Sequence, residues 1–319
     1  MIVWHDGDYV ELDERRSAVA IGVFDGLHRG HQRVIGRARE LAEIHGSRLA
    51  VVTFFPHPAL TVHPDRAPLT IGTLEQRLEG FELLEVELVR VLHFDELLAL
   101  ESADSFVDRV LVNDLRAADV IVGEDFKFGH DRAGDVASLA SSGILDDFRV
   151  HAIKLAGDGH RWSSTAIRES VATADLERAT TALGRPFTLR AVVEHGDARG
   201  RELGFPTANL RVDERTLRPP SGIYAAAVRT PDHVWWCGAV SIGRRPQFYE
   251  AGESLIEVHL VDFSGDLYGR TLDVAFLRRL RGEVRFDSVE DLIAQMGRDV
   301  VESTEIFANS PPTTWTLLG

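Results

Sequence analysis

The sequence predicts two domains: an α/β domain on a doubly wound parallel sheet, then an antiparallel β-barrel with a C-terminal helix. Three observations predict it. The chain has 319 residues, enough for two hydrophobic cores. Up to about residue 184, apolar runs of strand length alternate with stripes of helical spacing, as in crossover-connected parallel strands. From residue 185 onward, short runs broken by turns follow one another without helices between them, the pattern of a small barrel.

The first domain is organised around Ala18-Val-Ala-Ile-Gly-Val-Phe-Asp-Gly-Leu-His-Arg-Gly-His31. Its first half is a buried-strand run, broken at Gly22 and again at Asp25-Gly26. A helical stripe then begins at His28 and continues through Val34, Ile35, Ala38, Leu41 and Ala42. A strand, a glycine-bearing turn and a helix N-terminus put free N–H groups and the positive end of the helix dipole at one spot, where a phosphate can sit. His28 and His31, one turn apart, can donate to phosphate oxygens there, and Gly30 would let a ligand approach the backbone. On spacing alone, such a glycine serves the bend as readily as a phosphate. Zinc is disfavoured, because further ligands at metal spacing are missing.

Further strands are read at Arg48–Phe55, Val89–Leu92, Asp119–Val122 and Phe148–Ile153, with helices at Leu74–Leu84, Ser102–Val112 and Asp135–Ser142 between them. In doubly wound sheets ligands bind beyond the carboxyl ends of the strands. Four polar clusters follow such ends: Asp25–His31, Thr53-Phe-Phe-Pro-His-Pro58, Gly123-Glu-Asp-Phe-Lys-Phe-Gly129 and Ser163-Ser-Thr-Ala-Ile-Arg168. Singly each has a plain explanation, a helix cap at Ser163-Ser164 or a solvated turn at Glu124-Asp125. All four at one sheet edge argue for a site. Leu176–Leu183 reads as a final helix stopped by Gly184-Arg-Pro186, so the domains are taken as 1–184 and 185–319 with no long linker between them.

In the second domain the short runs are Thr188–Glu194, Gly222–Val228, Val234–Val240, Leu255–Phe263 and Thr271–Phe276, with a helix from Val289 to Phe307 and an irregular tail. Gly196, Gly200 and Gly204 allow a loop to wrap phosphates with backbone N–H groups. Thr207 and Asn209 alternate on an extended segment, so both could offer oxygens to Mg²⁺. Glu257 and His259 likewise share one face of a strand, which an ordinary exposed barrel strand would also give.

A net charge of −15 and a pI near 5.3 argue against non-specific binding of nucleic acid or anionic membrane. They leave room for a nucleotide held by local donors and a metal. Lysine occurs only at Lys127 and Lys154, so almost every cation is a planar arginine fork. Cys237 is the single cysteine, no apolar run approaches a bilayer span, and the first residues lack the pattern of a signal peptide. A cytoplasmic protein is expected. Oligomeric state is left open.

Gly22-Val-Phe-Asp-Gly-Leu-His-Arg-Gly-His31 resembles the signature of the HxGH nucleotidyltransferases, in the form carried by prokaryotic bifunctional riboflavin kinases/FAD synthetases. The clusters at 53–58, 122–129 and 163–168 match that family's further motifs in order. Gly-Phe-Pro-Thr-Ala-Asn at 204–209, Gly-Ile-Tyr at 222–224, Glu-Val-His-Leu at 257–260, the motif at 262–269 and Arg-x-Glu-x-x-Phe at 281–286 resemble its riboflavin kinase module. The resemblance implies a nucleotidyltransferase sheet domain that transfers AMP from ATP to FMN, giving FAD and pyrophosphate. It implies a barrel domain that phosphorylates riboflavin to FMN with ATP, giving ADP, and Mg²⁺ as cofactor of both.

By that resemblance His28 and His31 are catalytic, bearing on the ATP phosphates. Gly22, Phe24, Asp25, Gly30 and Ser163 border ATP, and Ser164, Thr165 and Arg168 face the departing pyrophosphate. His57, Pro58, Asp125 and Phe126 border FMN. In the kinase module Gly196, Gly200, Gly204, Phe205, Pro206 and Arg281 would hold ATP or flavin, Thr207 and Asn209 the metal, and Glu257 would be the general base. Departures are Phe55, where the family often has an acid, and Arg244 and Gln247, where threonines are usual. Two rival readings are a kinase with a weak adenylylating module and a flavin-nucleotide binding or regulatory protein without catalysis.

Overall fold

The computed structural model describes residues 1–154, 156–157, 160–196, 203–244 and 254–311. By internal contacts it divides into two units: residues 1–70 with 74–164, and residues 71–73 with 165–316.

The first unit carries a six-stranded sheet of β1 (Ile2–His5), β2 (Ser17–Ile21), β3 (Arg48–Phe55), β4 (Leu88–His93), β5 (Ala117–Gly123) and β6 (Arg149–Ile153), in the order β1-β4-β3-β2-β5-β6. Every neighbouring pair is parallel. α1 (Arg29–His45) connects β2 to β3; α2 (Leu74–Leu83) and α3 (Val136–Leu145) follow later in the chain. Alternate residues of β2 explain why both faces are covered. Ala18 and Ala20 pack with Val34, Ile35 and Ala38 of α1, whereas Val19 and Ile21 pack in a second core with Phe106, Val110 and Leu111. The doubly wound parallel sheet is as the sequence predicts.

Two of the differences from the sequence reading concern a strand and a helix. β1 is an additional edge strand, paired only with β4, and its half-exposed four residues carry too little apolar signal to mark a strand. The helix expected over 102–112 is a short α-helix at Ala103–Phe106 that continues as a π-helix over Val107–Asp114.

The second unit holds α4 (Ser164–Ala172) beyond its first residue, then α5 (Leu176–Leu183), which ends on Gly184 in the left-handed conformation (φ 78). The barrel is formed by β7 (Thr188–Glu194), β8 (Ala208–Arg211), β9 (Gly222–Arg229), β10 (Trp235–Arg244), β11 (Ser254–Leu260) and β12 (Thr271–Arg281). It closes in the order β7-β8-β11-β10-β9-β12, antiparallel throughout. Tyr224, Phe187 and Phe276 are fully buried in it, Phe276 meeting Tyr224 edge-on at 5.5 Å. The C-terminal helix α6 (Val289–Asn309) packs on β9, β10 and β12 and runs two residues past its expected end. β8 is four residues long, and the sequence predicts it only as an extended segment.

Candidate functional sites

In the first unit the chain leaves β2 at Gly22, whose N–H donates to Val52 O at 3.1 Å, and turns through Phe24, Gly26 and Leu27, all at positive φ. His28 is the N-cap of α1: its Nδ1 accepts the His31 N–H at 3.3 Å. That pulls the two imidazoles together, stacked at 3.5 Å with Phe24 edge-on to His31 at 5.2 Å. Gly30 is also hemmed in by the chain itself. A Cβ there would come within 3.1 Å of the His28 ring and 3.5 Å of the Trp162 carbonyl oxygen, so the glycine makes room for the chain's own groups.

The turn is tied down from two sides. Thr53 Oγ1, fully buried at the end of β3, donates to Val23 O at 3.1 Å. Ser164 Oγ, at the start of α4, donates to Asp25 O at 3.1 Å. So Ser164 binds the first motif to the fourth instead of acting as a simple cap. Ser163 directly precedes α4, and Thr165 and Arg168 lie within its first turns.

Behind Thr53 stands Arg77 of α2, 6% exposed, whose Nη1 donates to Thr53 Oγ1 at 2.9 Å and to Phe54 O at 3.0 Å. Burial pushes its guanidinium below the ordinary arginine value, while the negative charges of Asp25 and Glu75 oppose the shift. Sequence reasoning missed Arg77. The available signal was its place on the buried face of α2, three residues after Leu74 and four before Phe81.

His57 caps the short helix Pro58–Val62, its Nδ1 accepting the Ala59 N–H at 3.1 Å. Asp125 and Phe126 form the turn after β5, and Phe126 stacks on Phe128 with centroids 5.4 Å apart. An aromatic pair of this kind offers a face to a planar ring. Phe55 is 45% exposed and lines a cavity of about 800 Å³ with His5, Asp6, His93, Glu101 and Arg109.

In the second unit a cavity of about 400 Å³ is lined by Phe205, Thr207, Asn209, Glu257, His259 and Arg281, among others. Strand pairing brings them together: β8 runs antiparallel to β11 with Asn209 opposite Glu257. Thr207 Oγ1 lies 3.4 Å from Glu257 Oε1, and His259 Nδ1 lies 2.8 Å from Pro206 O. An ideal Cβ on Gly196 would fall 2.0 Å from Asn209 Nδ2, so only glycine leaves the Asn209 side chain its place. Gly204 takes positive φ (85), and Gly200 lies outside the described residues.

Arg281 reaches the cavity wall from β12 and is held there by buried Asp299 of α6, through Nη2 to Oδ2 at 2.7 Å and Nε to Oδ1 at 3.1 Å. Gln295 Nε2 adds a 2.8 Å bond to Asp299 Oδ1. Asp299 and Gln295 are further residues that the sequence reading did not single out. Of the two departures nearby, Arg244 ends β10 and Gln247 lies outside the described residues.

The donors in this cavity are hard oxygens: a hydroxyl, an amide and a carboxylate. That set suits Mg²⁺ and not a soft metal. Among the described residues no group of three or more His, Cys, Asp or Glu could hold a metal.

The family model described as FAD synthetase matches residues 10–166, and the one described as riboflavin kinase matches residues 183–307. A bifunctional riboflavin kinase/FMN adenylyltransferase of Bacillus subtilis (strain 168) is 34% identical over 310 residues, covering 96% of this chain and 98% of its own. The protein of the same name from Pseudomonas fluorescens is 41% identical over 303 residues, covering 93% and 95%. A crystal structure titled as a macrolide-efflux protein from Streptococcus pneumoniae superposes with a TM-score of 0.84 at 29% identity, covering 95% of this chain and 99% of that one. Efflux belongs to that title; among the described residues here no helix is long and apolar enough to cross a membrane.

Proposed function

This chain belongs to the bifunctional riboflavin kinase/FMN adenylyltransferase family, and on that footing we propose that it makes FMN and then FAD at two separate sites, one in each unit. The observation that carries the proposal is that two sets of residues, remote in sequence, each converge: His28 and His31 with Ser164 on the turn after β2, and Thr207, Asn209 and Glu257 in the barrel cavity.

At the first site an FMN phosphate oxygen attacks the α-phosphorus of ATP. A P–O bond forms, the α–β bridging bond breaks, and pyrophosphate departs with the electron pair. The nucleophile is already ionised, so no strong base is needed and the work is positioning and charge neutralisation. His28 and His31 donate to the phosphates, with the N-terminal amides of α1 beside them. Gly22, Phe24, Asp25, Gly30 and Ser163 shape the nucleotide side, and Ser164 the pyrophosphate side. His57, Pro58, Asp125 and Phe126 border FMN.

At the second site the 5′-hydroxyl of the ribityl chain attacks the γ-phosphorus of ATP, the β–γ bridging bond breaks, and ADP leaves. That hydroxyl is a weak acid, and Glu257 accepts its proton. Thr207 and Asn209 would hold Mg²⁺, which neutralises charge on the phosphates when bound. Gly196, Gly204, Phe205, Pro206 and Arg281 line or shape the same cavity. The lone Cys237 and the lack of an apolar helix of spanning length among the described residues support a cytoplasmic setting.

The test is incubation of the chain with riboflavin, ATP and Mg²⁺, followed by chromatography. FMN should appear first and FAD after it, with pyrophosphate released in proportion to FAD, and chelation of the metal should stop both. Flavin binding without either product would support the regulatory reading instead. FMN without FAD would support a kinase with a weak second module.

A further inference from the structure

The ladder between β8 and β11 ends at Ala208 opposite Val258. It cannot extend in the ordinary way through the residues before it, because Pro206 has no N–H to give. Thr207, the proposed metal ligand, therefore lies just outside the paired region. Two side chains of β11 take over there. Glu257 meets the Thr207 hydroxyl at 3.4 Å, and His259 meets the Pro206 carbonyl at 2.8 Å. Phe205 closes edge-on against the His259 ring at 5.5 Å. Phe205, Thr207, Glu257 and His259 wall the same cavity.

We propose that His259 is a positioning residue of the kinase site: its imidazole holds the Pro206 carbonyl and so fixes Thr207 where its oxygen can reach the metal and the phosphates. The inference rests on the kinase reading above. A carbonyl oxygen only accepts, so His259 Nδ1 carries the proton in this bond, which sets the tautomer of the neutral ring and leaves Nε2 as its lone-pair nitrogen. The bond does the work that a backbone N–H does elsewhere in the ladder. It also couples the strand that bears Glu257 to the segment that bears Thr207, so base and metal ligand keep one spacing. Groups that orient a metal ligand in this way change metal affinity or activity roughly ten- to a hundredfold when removed.

Side-chain shape makes the role testable. The Asn side-chain amide places an N–H where Nδ1 stands, whereas Gln places it near Nε2. Full-length His259→Ala, His259→Asn and His259→Gln are compared by calorimetric titration with Mg·ADP and by the Mg²⁺ dependence of FMN formation. FAD formation from supplied FMN, in the same preparations, serves as the control for folding. His259→Ala should weaken Mg·ADP binding and raise half-saturating Mg²⁺ by roughly tenfold or more, with FAD formation unchanged. Asn should restore most of the loss and Gln little of it.

Wild-type metal dependence in the Ala variant overturns the proposal. So does restoration by Gln but not by Asn, which would make Nε2 the working atom. If the Ala variant also loses FAD formation through misfolding, the Asn variant decides: wild-type Mg²⁺ dependence supports the role and its loss overturns it. A wild-type chain that forms no FMN at all overturns the kinase reading itself, and this role falls with it.

Discussion

Asp119 is fully buried in the first unit, away from the proposed phosphate site, at a charge cluster that the chemistry does not use. Arg149 grips it through Nε and Nη2 at 2.9 and 2.7 Å, and the His151 and His45 imidazoles approach at 2.8 and 2.9 Å. Burial by itself would raise this carboxyl, but the hydrogen bonds from Arg149 and His151 and the arginine charge hold it below its ordinary value. A carboxyl depressed in the folded state contributes stability that is present above the unfolded value, about 3.9. That contribution is lost as pH falls from there through the folded value, because the unfolded chain binds the proton first. Urea midpoints should therefore fall with acid below about pH 4. Asp119→Asn should flatten that part of the profile and cost roughly 2 kcal/mol at pH 7, the scale for hydrogen bonds to a charged group. An unchanged acid limb in the Asn variant would remove Asp119 from the account.

At the level of elements, what could be read from the sequence followed the strength of its periodicity. β3 and α5 appear with the bounds the sequence predicted, since each is a clean run with a clear stop, Pro56 for the first and Gly184 for the second. β1 and β8 were not read as strands because four residues with partial burial carry almost no pattern. The π-helix at 107–114 was invisible because its apolar positions also fit an ordinary helix. Site motifs containing glycine and histidine were legible, whereas the supports Arg77, Asp299 and Gln295 were not. Arg77 meets Thr53 and Asp299 meets Arg281 only through the fold, and Gln295 joins them through Asp299, four residues on in the same helix.

The end of the first domain is a case of the same kind. Gly184-Arg-Pro186 places the boundary at 184/185, yet by contacts residues from Thr165 group with the barrel, and α5 packs on β12. Leu176, Ala179, Ala182 and Leu183 are the buried side of α5. We therefore expect a fragment beginning at Thr165 to be more stable than one beginning at Arg185, by about 2–4 kcal/mol for the apolar surface that α5 covers. Thermal melts of the two fragments check this. Equal melting temperatures would assign α5 to the first domain.

For the whole molecule, the central claim is that one chain houses two independent chemistries, and reciprocal variants test it most directly. His31→Ala removes the proposed donor to the ATP phosphates, and Glu257→Gln removes the proposed proton acceptor while keeping its shape. FMN formation from riboflavin and FAD formation from supplied FMN are measured separately on each full-length variant, at saturating substrates. His31→Ala should lower FAD formation by roughly two to three orders of magnitude, the scale for losing one such donor, with FMN formation intact. Glu257→Gln should lower FMN formation about a hundredfold or more and leave FAD formation from FMN intact. Loss of both activities in either variant, or wild-type rates in both, would contradict the division of labour between the sheet and the barrel.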